Sequence, residues 1–104
     1  MEKKDLDKWQ ESHTIVYTAR WNRLKSAWLK HIRGVSFEEI VEANLLDIIK
    51  HPSKTKQQIL IFEYKGYTWA VPYVIDERGV FLKTLYPSRK YHKLYKQGEV
   101  YEKI

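Results

Sequence analysis

Three runs, Gln58–Tyr64 (QILIFEY), Thr68–Ile75 (TWAVPYVI) and Val80–Tyr86 (VFLKTLY), decide the fold. Each is rich in β-branched and aromatic residues and has the length of a strand. The links between them, Lys65-Gly66-Tyr67 and Asp76-Glu77-Arg78-Gly79, have hairpin length and carry Gly. Consecutive strands joined so tightly predict an antiparallel meander. Pro72 falls inside the middle run. It has no N–H to give a ladder, which predicts a bulge or an unpaired side there.

Toward the C-terminus, the meander runs into Tyr86-Pro87-Ser88-Arg89-Lys90-Tyr91-His92-Lys93-Leu94-Tyr95-Lys96. Ser88 is a good helix N-cap, and Pro87 before it stops a helix from starting earlier. Tyr91, Leu94 and Tyr95 recur at helical spacing as an apolar stripe, with Arg89, Lys93 and Lys96 on another side. Arg89 and Lys90 fall in the first turn, where the free N–H groups already carry partial positive charge. Each cation there costs roughly 0.3–1 kcal/mol in an exposed helix. A bound anion reverses the sign, so the segment is a candidate phosphate site as well as a plain solvated basic face.

Toward the N-terminus, Pro52-Ser53-Lys54-Thr55-Lys56 reads as a loop, and Leu45-Leu46-Asp47-Ile48-Ile49 fits either helix or strand. Ser36-Phe37-Glu38-Glu39 starts a short helix, with Ser36 and Glu39 spaced as a capping box and the helix ending near Asn44. Trp21, Leu24, Trp28 and Ile32 repeat at helical spacing over 21–33, and Gly34 is a credible stop. Thr14-Ile15-Val16-Tyr17-Thr18 reads as a strand, and 1–12 as a charged, flexible arm. The order strand, two helices, meander, helix predicts one α+β domain over 13–96. Its helices pack on one face of an antiparallel sheet, the basic helix closes it, and 97–104 form a tail.

Composition narrows the function. In 104 residues, 19 Lys+Arg against 13 Asp+Glu leave a net charge of +6, which favours a polyanionic partner. Four Trp and eight Tyr can fill a small core or stack on bases. The absence of Cys excludes disulfides and thiolate metal sites. His13, His31, His51 and His92 show no zinc-ligand spacing, so no metal or other cofactor is expected. There is no apolar run of membrane-spanning length and no signal-peptide core near Met1, so the expectation is a cytoplasmic protein that contacts no membrane. Phosphate-cradling glycine motifs and the GxSxG elbow are missing too.

What the chain has in excess is Lys, Arg, Tyr and His. These suffice to position a phosphodiester, stabilise its developing charge and move protons. Lys83 shares a face with Phe81 and Leu85 by alternation, an uncommon setting for a Lys that could aim it at the start of the last helix. His92 and Tyr86 are the candidate proton carriers. Arg78, in a hairpin loop, and Lys93, Lys96 and Tyr91 are candidate RNA contacts. Glu63 shares a face with Ile59 and Ile61, where it could pair with Lys83 or Arg89.

Two stretches carry a family resemblance. Trp21-Asn22-Arg23-Leu24-Lys25 followed by Gly34-Val35-Ser36-Phe37-Glu38-Glu39, and Arg78-Gly79-Val80 through Ser88-Arg89-Lys90, resemble the BrnT family of bacterial type II toxins, within the RelE/ParE-like superfamily. The chain departs from the family pattern at Asn22, where the family has Asp, and at Ile32-Arg33, where it has Lys-His; here the His is His31. The resemblance implies a RelE-like fold and a ribonuclease that cuts RNA without metal, in some relatives on the ribosome, and so inhibits translation. It further implies a cognate antitoxin, often a ribbon-helix-helix DNA-binding protein. It places Arg89 at the helix-start Arg, with Lys90 beside it and Lys83 on the preceding strand. The alternatives are a non-catalytic basic module that binds nucleic acid or an acidic protein, and a ParE-like gyrase poison.

Overall fold

The meander forms the centre of the molecule. The computed structural model describes residues 18–95. Its elements in chain order are helix α1 (Arg23–Arg33), the single turn α2 (Phe37–Ile40), and strands β1 (Asn44–Lys50), β2 (Gln58–Tyr64), β3 (Tyr67–Asp76), β4 (Gly79–Leu82) and β5 (Tyr86–Pro87). Helix α3 covers 89–95. The sheet is antiparallel in the order β1-β2-β3-β4, with β5 also on β3. The arm assigned to 1–12, the strand assigned to 14–18 except for Thr18, which lies in a turn, and the tail at 97–104 fall outside the described residues.

Turn chemistry sets the hairpins. Lys65 and Gly66 both have positive φ, 51° and 80°, which matches the right-handed twist of the flanking strands. The β3–β4 turn closes with Asp76 opposite Gly79, and the Asp76 carboxylate accepts the Arg78 N–H at 2.8 Å. The ambiguous segment at 45–49 is strand, because β1 pairs with β2 along its length, with one irregularity between Leu45 and Asp47. The capping-box helix therefore stops at Ile40, earlier than the expected Asn44.

The last predicted strand is broken. β4 pairs with β3 only from Asp76 back to Tyr73, and β5 resumes opposite Ala70. Pro72 lies in the gap. The Lys83 N–H donates to the Pro72 carbonyl at 2.9 Å, so the same side of Pro72 that lacks an N–H faces the departing chain. On its other side Pro72 stays in register with Ile59. On that side Pro72 has no ladder partner and is met only at its carbonyl, where residues 83–85 leave the sheet.

Alternation along β2 and β3 gives the sheet two apolar faces. Leu60, Phe62, Trp69, Val71 and Tyr73 join Leu29, Val35, Phe37 and Ile40 in the larger cluster, beneath α1 and α2. Ile59, Ile61 and Ala70 join Tyr91, with Tyr86 and Tyr95 packed against them, on the opposite face. Helix α3 is therefore not on the face that α1 and α2 cover, and the sheet lies between two helical layers. Tyr95 fixes α3 to β1 by donating to the Asp47 carboxylate at 2.7 Å. Burial, then that hydrogen bond, pushes its phenol pKa up.

Helix α1 is well terminated. The Asn22 side chain accepts the Lys25 N–H at 2.9 Å, and Gly34 closes the helix at φ 80°, donating to the Lys30 carbonyl. Its buried residues are Ser26 and Leu29. Leu24, Trp28 and Ile32, the stripe that the spacing picks out, are 82%, 53% and 44% exposed. The core-facing side was taken by Ser26 because its hydroxyl serves two partners. It donates to the Glu38 carboxylate and accepts the buried Phe37 N–H at 2.9 Å. Trp21 stays at the helix entrance, its Nε1–H donating to Glu38 at 3.1 Å and its ring tilted on Phe37. Ahead of α1, Arg20 runs beside β4 through hydrogen bonds with Val80 and Leu82. No helix among the described residues is long and apolar enough to cross a membrane.

Candidate functional site

The break at Pro72 creates a cleft of about 310 Å³ where the 83–86 segment, the β1–β2 loop and the first turn of α1 meet. Lys83, Thr84 and Tyr86 line it from the irregular segment, His51, Lys54 and Gln57 from the loop, Lys25 from α1, and Pro72 from below. Three lysines thus line it, and none of the lining residues carries a carboxylate. A concave site of one sign concentrates an oppositely charged ligand, so the cleft suits an anion.

Each wall has a local cause. The Arg33 guanidinium, at the end of α1, donates to the Leu85 carbonyl and so ties the ejected segment back to the helix. His51 organises its own loop. Its Nδ1 accepts the backbone N–H groups of Ser53 and Lys54, each at 3.1 Å. A backbone N–H can only donate, so Nδ1 presents its lone pair and the neutral ring carries its proton on Nε2. His51, which lines the cleft, then has its Nε2–H left to donate. Burial pushes the Tyr86 phenol pKa up, with Tyr91 adding to the rise and Arg33 opposing it. Tyr86 is consequently protonated at neutral pH and is also a donor.

The residues singled out from sequence divide between this cleft and two other places. Lys83 and Tyr86 line the cleft. Lys83 does not lie between Phe81 and Leu85 on a strand face, because β4 ends at Leu82; its side chain is exposed. Arg89 and Lys90 are exposed on the first turn of α3, where the Ser88 hydroxyl accepts the Tyr91 N–H at 3.1 Å. The Lys90 ammonium lies 5.5 Å from the centre of the Tyr91 ring. His92 is held away from the cleft. Its Nδ1 pairs with the Thr68 hydroxyl at 3.1 Å, and its ring stacks on Tyr67 with centroids 4.2 Å apart. His92 is not among the cleft's lining residues; Thr68 is four residues from Pro72 along β3, about 13 Å at strand rise, and two from Ala70, which pairs with the lining residue Tyr86. Tyr91 is buried, 7% exposed, in the core beneath α3, so its ring offers no face for a base. Lys93 is exposed on α3, and Lys96 lies outside the described residues. Arg78 is exposed in the β3–β4 turn and does not line the cleft. Glu63 is exposed, and no ion pair among the described residues joins it to Lys83 or Arg89.

Lys25, His51 and Lys54 also line the cleft; none was a predicted site residue, although Lys25 belongs to the Trp21–Lys25 stretch that carries the family resemblance. They come from elements far apart in the chain, and no spacing rule links them to Lys83. Among the described residues no group of three or more His, Cys, Asp or Glu is placed to hold a metal ion. No family model, curated protein or solved structure matches this chain.

Proposed function

We propose that this protein is a toxin-type ribonuclease that binds a phosphodiester of unpaired RNA in the cleft, in line with the BrnT-like stretches of its sequence. The observation that carries the reading is that Lys25, Lys54 and Lys83 line one concave site together with His51 and Tyr86 and without a carboxylate. The ammonium groups hold the phosphate and stabilise the charge that grows on it as the neighbouring ribose 2′-oxygen attacks phosphorus. The bond to the 5′-oxygen breaks, and Tyr86 or the Nε2–H of His51 gives that oxygen a proton. The 2′-hydroxyl proton passes to solvent. The products are a 2′,3′-cyclic phosphate and a 5′-hydroxyl. Arg89, Lys90 and Lys93 lie on α3 outside the cleft lining and attract RNA at longer range. Inhibition of translation and neutralisation by an antitoxin complete the reading. The experiment is incubation of single-stranded RNA with the full chain and with Lys83→Ala, followed by end analysis of the fragments. Cyclic-phosphate ends from wild type alone support the reading, and intact RNA at saturating protein overturns it.

A specific observation favours a second reading. His51 uses its Nδ1 lone pair on two backbone donors, and Tyr86 is protonated, so no lining residue is arranged to accept the 2′-hydroxyl proton. A cleft with donors and cations but no base fits a module that binds RNA without cutting it. RNA retained by wild type, lost by Lys83→Ala and recovered intact assigns this second function.

A further inference from the structure

The cleft is built on a segment that the sheet does not hold. Residues 83–85 run between β4 and β5 without ladder partners. Among the described residues two hydrogen bonds fix them. The Lys83 N–H donates to the Pro72 carbonyl at 2.9 Å, and the Leu85 carbonyl accepts from the Arg33 guanidinium. Leu85 is fully buried, so loss of Arg33 leaves its carbonyl unmet where water does not reach, which is costly. Leu85 sits between Thr84 and Tyr86, and both of those line the cleft.

Arg33 forms no ion pair among the described residues and does not itself line the cleft. A cation in the last turn of a helix favours the helix dipole, but that needs only charge. A bond to a carbonyl 52 positions along the chain needs a placed donor as well. The guanidinium is also near enough to Tyr86 to oppose the rise of that phenol's pKa. Helix α1 thus bears on the cleft twice. Lys25 lines it from the first turn, and Arg33, about 12 Å further along the helix axis, ties the segment that carries Lys83, Thr84 and Tyr86. We propose, on the reading of the cleft as the RNA phosphate site, that Arg33 is its positioning residue. By holding the Leu85 carbonyl it sets where Lys83, Thr84 and Tyr86 stand relative to Lys25, without touching RNA. A wall ordered in advance need not be ordered on binding, and that raises affinity.

The test uses the full chain with Arg33→Met, Arg33→Lys and, as a control for charge alone, Arg23→Met. Arg23 is exposed at the start of α1 and does not line the cleft. Hydrogen–deuterium exchange is read first, with no RNA present. Arg33→Met should speed exchange across 83–86 by roughly tenfold while β2 stays protected. Unchanged exchange there overturns the proposal, whatever the RNA result. Anisotropy with a fluorescein-labelled single-stranded RNA is read second. Arg33→Met should weaken binding roughly tenfold, Arg33→Lys, which keeps a donor, should recover most of it, and Arg23→Met should cost less than about threefold. In a Lys83→Ala background Arg33→Met should lose most of its effect, because residues that act through one wall are coupled, whereas independent charges add. Equal losses in Arg33→Met and Arg23→Met, or full additivity with Lys83→Ala, overturn the proposal and leave Arg33 as plain charge. Wild type that binds no RNA sinks the cleft reading and this proposal with it. Wild-type binding that Arg33→Met leaves intact sinks this proposal alone.

Discussion

Replacing Ser26 by Ala tests what holds α1 over the sheet. The side chain is 2% exposed and its hydroxyl connects two helices. It accepts the N–H of Phe37, the first residue of α2, and donates to Glu38. Two other donors at the helix start already have acceptors. Ser36 Oγ takes the Glu39 N–H and the Glu39 carboxylate takes the Ser36 N–H. Phe37 is fully buried, so alanine at 26 strands its N–H where water does not reach. A stranded buried donor costs about 1–3 kcal/mol. The lost bond to the exposed Glu38 adds less than about 1 kcal/mol, because water replaces Ser26 there. The sum, about 1–4 kcal/mol, corresponds to a Tm drop of roughly 5–30 °C for a domain of this size. Thermal unfolding followed by circular dichroism reads it, with Glu38→Gln as the comparison. Glu38→Gln keeps an acceptor for Ser26 and should cost under about 1 kcal/mol. A Ser26→Ala protein within about 0.5 kcal/mol of wild type, or one less affected than Glu38→Gln, would refute the assignment of Ser26 as the tie.

Two other expectations follow from the packing and charge. Lys30 holds Glu39 at 2.8 Å, and chiefly for that reason the Glu39 carboxyl is pulled down to about 2 while the Lys30 ammonium is pushed up. The folded pKa of Glu39 lies below its ordinary value of 4.5, so this contribution to stability is complete above pH 4.5 and fades as pH falls toward 2. Urea unfolding across that window should be less pH-dependent in Glu39→Gln, and an unchanged slope would count against the pair. Tyr91→Ala should cost about 3–5 kcal/mol by emptying the core under α3, while Arg89→Ala should stay within about 0.5 kcal/mol. Equal effects of the two would mean that α3 does not pack on the second face of the sheet.

The meander was legible because its signals are local: β-branched runs, glycines at hairpin spacing, and a proline that cannot complete a ladder. The start of α2 was legible for the same reason, since Ser36 and Glu39 cap each other within one turn. The burial of α1 was not. Its most regular stripe is apolar, yet the core took the side bearing Leu29 and Ser26, and a serine that hydrogen-bonds across two helices has no signature in periodicity. Helix periodicity also says nothing about which face of a sheet a helix covers, hence the misplacement of α3. Lys83 stood out as a charge among apolar neighbours, but its position depends on the break opposite Pro72. The remainder of the cleft is tertiary. His51 enters through a loop that it caps with its own ring, and Lys25 through a helix 58 positions before Lys83. The positive charge of the last helix was visible in sequence, whereas the pairing of His92 with Thr68 and its stacking on Tyr67 were not.

The most direct test of the cleft is the salt dependence of single-stranded RNA affinity, measured for wild type, Lys83→Ala and Lys93→Ala with the full chain. Each phosphate contact contributes about 0.7 to the slope of log K against log salt for a single strand. If the cleft is the phosphate site, Lys83→Ala weakens binding and flattens the slope by about 0.7, and Lys93→Ala changes both less. A Lys83→Ala slope equal to that of wild type, with the loss falling on Lys93→Ala, would contradict the account and return the phosphate site to the last helix.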